Sequence, residues 1–155
     1  MSDIITLRWQ DWTGAGLEHV ALAVGDEYIT AHSVLIGETA AGFPARYSLK
    51  LRADWTVIDL QVEMMGSDKS IYLRRTQESG WLDAAGEVHP ELNEATDVDL
   101  AATPFTNTLP IRRLSLAIGE SAEIVVAYVS FRTSPSQRLR GDKRACPTIF
   151  TGSGL

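Results

Sequence analysis

Two neighbouring segments of this chain alternate so regularly that a single pairing satisfies both. In 45–53, Tyr47, Leu49 and Leu51 alternate with Arg46, Ser48, Lys50 and Arg52. In 56–64, Ile58, Leu60, Val62 and Met64 alternate with Val57, Asp59, Gln61 and Glu63. A period of two is that of a strand with one wet face and one buried face. If the chain reverses at Asp54-Trp55, Lys50 meets Asp59 and Arg46 meets Glu63 on one side, while Leu51 meets Ile58, Leu49 meets Leu60 and Tyr47 meets Val62 on the other. A slip of one residue would spoil every pair, so charge and apolarity together predict a hairpin in this register. Asp-Trp is not a favoured two-residue turn, which leaves room for a longer loop with the same pairing.

The rest of the chain continues the pattern. A fold-back at Gly25-Asp26 pairs 17–24 with 27–34, placing Glu18, Val20 and Leu22 on one face with Ser33, Ala31 and Ile29, and setting His19 opposite His32. Glu18 is then a carboxylate on a mainly apolar surface. Further strands are expected at 4–9, 69–76, 111–118 and 122–131, with 84–96 as a long loop. Helical periodicity is weak throughout, so the expected fold is all-β and antiparallel. With 155 residues, 45% of them hydrophobic, the chain suits one buried core and is short for two ordinary domains.

No apolar run is long enough to span a membrane, and Met1-Ser2-Asp3-Ile4-Ile5 lacks the zones of a secretory signal, which predicts a cytoplasmic protein. The lone Cys146 excludes an internal disulfide. Net charge is −6, yet 132–144 holds Arg132, Arg138, Arg140, Lys143 and Arg144 against Asp142 alone. An acidic body argues against nucleic acid or an anionic membrane as a general partner. The basic segment reads as a solvated tail. Lacking alternation, 132–155 is expected to be mobile, leaving the strand that ends near Phe131 as an open edge that favours a homodimer.

The densest run of chemistry is Asp97-Val98-Asp99-Leu100, followed by Thr103-Pro104 and by Thr106-Asn107-Thr108-Leu109-Pro110-Ile111-Arg112-Arg113-Leu114. In an extended Asp97-Val98-Asp99 both carboxylates share a face. Pro104 and Pro110 bracket what should be an irregular loop. Alternation from 111 onward puts Arg112 on the apolar face of Leu114, Leu116 and Ile118, where it needs a carboxylate or a ligand anion; Asp97 and Asp99 are the nearest candidates. An internal ion pair and a ligand-facing polar cluster are both open at this point. Gly14-Ala15-Gly16 has no phosphate-loop continuation and reads as a turn, and His19 and His32 lack companions with metal-ligand spacing. No metal and no cofactor is expected. Trp9, Trp12, Trp55 and Trp81 suit core packing more readily than a ligand platform.

This run resembles the signature of a bacterial family described as "putative glycolipid-binding". Trp9 with Gly16-Leu17-Glu18, Tyr47 before Trp55, and Gly80-Trp81 are similar to further family positions, so the likeness spans about 7–131. The resemblance implies a strongly curved antiparallel sheet, a half-barrel or barrel around an apolar cavity. Family members continue with strands containing Gln-x-Tyr; here Gln137-Arg138-Leu139 departs from that pattern.

Two functions fit these readings. The first is binding of a hydrophobic or glycolipid-like small molecule, with Glu18, Asp97, Asp99 and Arg112 orienting its polar head and Tyr47, Trp55, Trp81, Asn107 and Arg113 completing the site. The second is a small cofactor-free enzyme in which Glu18 or Asp99 acts as acid or base beside Arg112.

Overall fold

The computed structural model describes residues 4–36, 44–101, 103–130 and 139–147, the last of these in backbone only. The described elements are β1 (Ile4–Gln10), β2 (Leu17–Val24), β3 (Tyr28–Ile36), β4 (Ala45–Arg52), β5 (Val57–Met64), β6 (Ser70–Thr76), β7 (Gly80–Leu82), β8 (Asp97–Leu100), α1 (Thr108–Leu114), β9 (Ser121–Val129) and β10 (Leu139–Pro147). Strands β1 to β7 form one antiparallel sheet in chain order, as successive hairpins do. Its outer strands, β1 and β7, are not joined to each other, so among the described residues the sheet is open rather than a closed barrel.

The hairpin of β4 and β5 has the expected partners from Arg46–Glu63 to Lys50–Asp59. Its loop is longer than two residues. The Arg52 N–H bonds the Thr56 carbonyl at 2.9 Å around 53–55, and Trp55 takes a left-handed φ of 67°. Three-residue loops end in this way because the last residue must turn the chain back into the ladder. The return costs one register step: Leu51 meets Val57, not Ile58. A bulge of this kind re-aims side chains, so Val57 is buried and Ile58 only half-buried.

In the β2–β3 hairpin the pairing is offset by two from the expected one. Val20 meets Ser33 and Glu18 meets Leu35, while His19 faces Val34 and His32 faces Ala21. A shift of two keeps every side chain on its face, so Glu18, Val20 and Leu22 still share the inner side with Ile29, Ala31 and Ser33.

Three expectations are corrected. Residues 111–118 are not a strand: Phe105–Asn107 form a 3₁₀ turn that runs into α1. Pro110 sits in the first turn of α1, where its missing N–H would have had no helical partner. Leu109 enters the main core, and Ile111 and Leu114 pack on Ile124 and Val126, a helical spacing that the shorter apolar alternation concealed. Second, not all ladders are antiparallel, because β8 runs parallel to β9. The segment containing α1 supplies the crossover that a parallel pair requires. Third, 139–147 is strand β10, antiparallel to β9 from Leu139–Val129 to Pro147–Ser121. Strand β9 is therefore flanked on both sides, and the open edge that argued for a dimer is covered. The remainder of 132–155 lies outside the described residues. No described helix is long and apolar enough to cross a membrane.

One core joins the two sheets. The inner face of β2 to β7, with Leu49, Leu60, Leu73 and Trp81, packs on Val98, Leu100, Phe105, Leu109, Ala127 and Val129. Strands β8 and β9 and the 3₁₀ turn thus fill the side of the large sheet on which Glu18 lies.

Candidate functional site

Glu18 is 4% exposed within this core. Its Oε1 accepts hydrogen bonds from Ser33 Oγ at 2.8 Å, Tyr47 Oη at 2.9 Å and Thr103 Oγ1 at 2.8 Å. Oε2 accepts from Thr103 Oγ1 at 2.6 Å. Local structure explains the convergence: Ser33 and Tyr47 are direct cross-strand partners and Glu18 lies one diagonal step away on the same face. Thr103 arrives from the segment after β8, where its hydroxyl also receives the Phe105 N–H at 3.0 Å. Isolated, a buried carboxylate would be costly, and these hydroxyl donors replace its lost hydration. Burial and, after it, the Glu18 charge push the Tyr47 phenol well above its ordinary value, so Tyr47 remains a donor. No cation among the described residues forms an ion pair with Glu18.

A second polar cluster lies on the other face of β8. Asp97 is fully buried, and Arg113 grips it side-on, Nη2 to Oδ2 at 2.6 Å and Nε to Oδ1 at 3.2 Å. Thr96 Oγ1 donates to Asp97 Oδ2 at 3.0 Å and accepts from Arg113 Nη2 at 3.2 Å. This bidentate pair ties α1 to β8. The expected partner, Arg112, is one residue away and points elsewhere: its guanidinium stacks over the Trp55 ring at 5.6 Å. On a helix consecutive residues diverge by about 100°, whereas the strand reading had put Arg112 inside.

The remaining candidates are dispersed. Trp81 is fully buried in β7, its Nε1–H bonded to the Ala95 carbonyl at 3.0 Å, and Arg75 lies 6.0 Å over its ring. Trp55 is half-buried in the β4–β5 loop. Asp99 is half-buried opposite Tyr128 in the β8–β9 ladder, and Asn107 is exposed where the 3₁₀ turn meets α1. Glu18 and Tyr47 are therefore united, Asp97 and Arg113 are united, and Arg112 joins neither cluster. Ser33 and Thr103 were not selected from the sequence. The signal for Ser33 was its place beside Glu18 on an otherwise apolar face; Thr103 gave none, since only folding brings it 85 residues back to Glu18.

Residues 6–143 match the family described as "Putative glycolipid-binding". The chain belongs to this family. It is also similar to the crystal structure of a DUF1089 family protein from Pseudomonas aeruginosa, with 30% identity and a TM-score of 0.62 over 88% of this chain and 73% of that one. No curated protein matches.

Proposed function

We propose that this family member binds an amphiphilic, glycolipid-like molecule, its sugar head at Glu18 and its apolar part along the inner face of a sheet curved as a half-barrel. The observation that carries the reading is the Glu18 carboxylate, buried in an apolar core and held by hydroxyl groups alone among the described residues. Sugar hydroxyls offer the same chemistry as Ser33, Tyr47 and Thr103. A phosphate or sulfate head would meet an acidic group and, among the described residues, no cation to pair with it. The family description supports the same class of ligand.

Entry at Thr103 disturbs least. Thr103 lies outside the helices and strands, and among the described residues its hydroxyl is the one partner of Oε2. A sugar hydroxyl takes that position as the segment moves aside. Trp9 and Phe105, whose rings meet at 6.3 Å with a 55° tilt, part to admit the apolar chain.

Titration with octyl glucoside below its micelle concentration, followed by tryptophan fluorescence and calorimetry, tests this against octanol and octyl phosphate. Octyl glucoside should bind saturably and most tightly. Glu18→Ala should weaken it by roughly tenfold or more, the value of a hydrogen bond to a charged group. Thr103→Val, which removes the competing hydroxyl, should tighten it. Absence of saturable binding, or equal binding by wild type and both variants, overturns the proposal.

A further inference from the structure

The outer face of the same sheet carries a cleft of different chemistry. Strand β4 turns Leu49 and Leu51 inward and so presents Lys50 and Arg52 outward, and β6 presents Arg74 beside them across β5. These side chains line a cleft of about 450 Å³ together with Tyr28, Ile58 and Glu78. Ile58 is there because of the bulge: without the register step at Leu51 it would have pointed into the core.

The carboxylates near this cleft act on its cations through space, Asp59 on Lys50 and Arg74 and Asp54 on Arg52. Among the described residues no ion pair engages Lys50, Arg52 or Arg74. The Lys50 ammonium lies 4.3 Å over the Tyr28 ring, and Asp59 is the ladder partner of Lys50. Asp59 is half-buried between Lys50 and Arg74, and its carboxyl is raised by burial against the pull of both. Arg75 also borders the cleft, but its guanidinium donates to the Thr96 carbonyl at 3.3 Å. In a chain of net charge −6, one half-buried and two exposed cations converge here from β4 and β6, on either side of β5, with the Tyr28 ring under Lys50. Arginine forks and a lysine ammonium in one concavity are the donor set that recognises phosphate.

We propose that this cleft binds an oxyanion, a phosphate carried by a small molecule or by an anionic lipid headgroup, with Lys50, Arg52 and Arg74 as its donors. Site and face are separate from the Glu18 cluster, so either proposal can fail alone. Tyr28 serves as the wall that keeps Lys50 in place, and Ile58 gives the floor an apolar strip beside the charges.

Two arms test it on the full chain at low ionic strength: calorimetric titration with inorganic phosphate, and co-sedimentation with phosphatidylcholine vesicles with and without phosphatidylglycerol. Saturable phosphate binding supports a free phosphate compound as the source, and sedimentation that requires phosphatidylglycerol supports a headgroup. In either arm Lys50→Gln with Arg74→Gln should weaken binding by about tenfold or more. Arg52→Gln, at an exposed strand end, should weaken it several-fold without touching the ladder interior. Asp59→Asn, which removes the competing charge, should tighten it. Binding in neither arm, or binding that these variants leave unchanged, overturns the proposal.

Discussion

Arg112 and Arg113 are chemically identical and adjacent, yet they sit in different environments. Arg113 neutralises a carboxylate with no exposure to water, whereas Arg112 is exposed and stacks on Trp55. Arg113→Met leaves Asp97 buried and unpaired, and should cost on the order of 3 kcal/mol in chemical denaturation. Arg112→Met removes an exposed cation–π contact and should cost roughly 0.5–1 kcal/mol. Equal costs would refute the assignment. Tyr47 provides a second test at this scale. Its folded-state phenol is held above the ordinary value of 10.0, so the folded chain keeps a proton that the unfolded chain releases. Stability is then intact below about pH 10 and falls as pH rises beyond it. In an alkaline absorbance titration, one of the four tyrosines should resist ionisation until the chain unfolds. Glu18 as an inward-facing acid was legible because two-residue periodicity assigns faces reliably, even when the register is wrong by two.

Among the elements, the β4–β5 hairpin shows how far alternation carries and where it stops. Cross-strand pairs from Arg46 to Lys50 follow from the pattern, since each wrong register would oppose a charge to an apolar group. Ile58 does not follow, because the three-residue loop and the left-handed Trp55 insert a residue that hydropathy cannot detect. Val57→Ala should therefore cost roughly 1.5–3 kcal/mol, as for a buried aliphatic, and Ile58→Ala less than half of that, although isoleucine is the larger residue. The reverse order in urea denaturation would remove the bulge and, with it, the apolar floor of the basic cleft. Helix α1 escaped for a related reason: in so short a segment, Leu114, Leu116 and Ile118 mimic a strand while Leu109 and Arg113 carry the helical spacing.

At the scale of the whole molecule, the two sheets share one core and their loops are pinned by carboxylates. Asp11, Asp54 and Asp83 are each held below the ordinary 3.8, chiefly by backbone N–H donors of Gly16, Thr56 and Glu87 respectively. Depressed carboxylates stabilise the fold above their unfolded value and lose that contribution as pH falls through the folded one. Asp59, raised by burial, contributes with the opposite sign, so in an Asp59→Asn background thermal midpoints should hold from neutrality to about pH 4 and decline below it, and a midpoint that rises on acidification there would contradict these contacts. Deleting 135–155 strips β10 from β9 and bares a nine-residue edge, so the truncated chain should melt earlier and associate by light scattering. An unchanged midpoint and a monodisperse monomer would show that β10 is dispensable. The sequence alone determined the β class, the faces of the hairpins, the inward Glu18 and the family, because these depend on local period and on a contiguous motif. Only tertiary structure decided that Thr103 closes over Glu18, that Arg113 rather than Arg112 meets Asp97, and that β8 joins β9 in parallel. Each of these is a contact between segments distant in sequence, chosen by how the large sheet is covered, and no local periodicity encodes that choice.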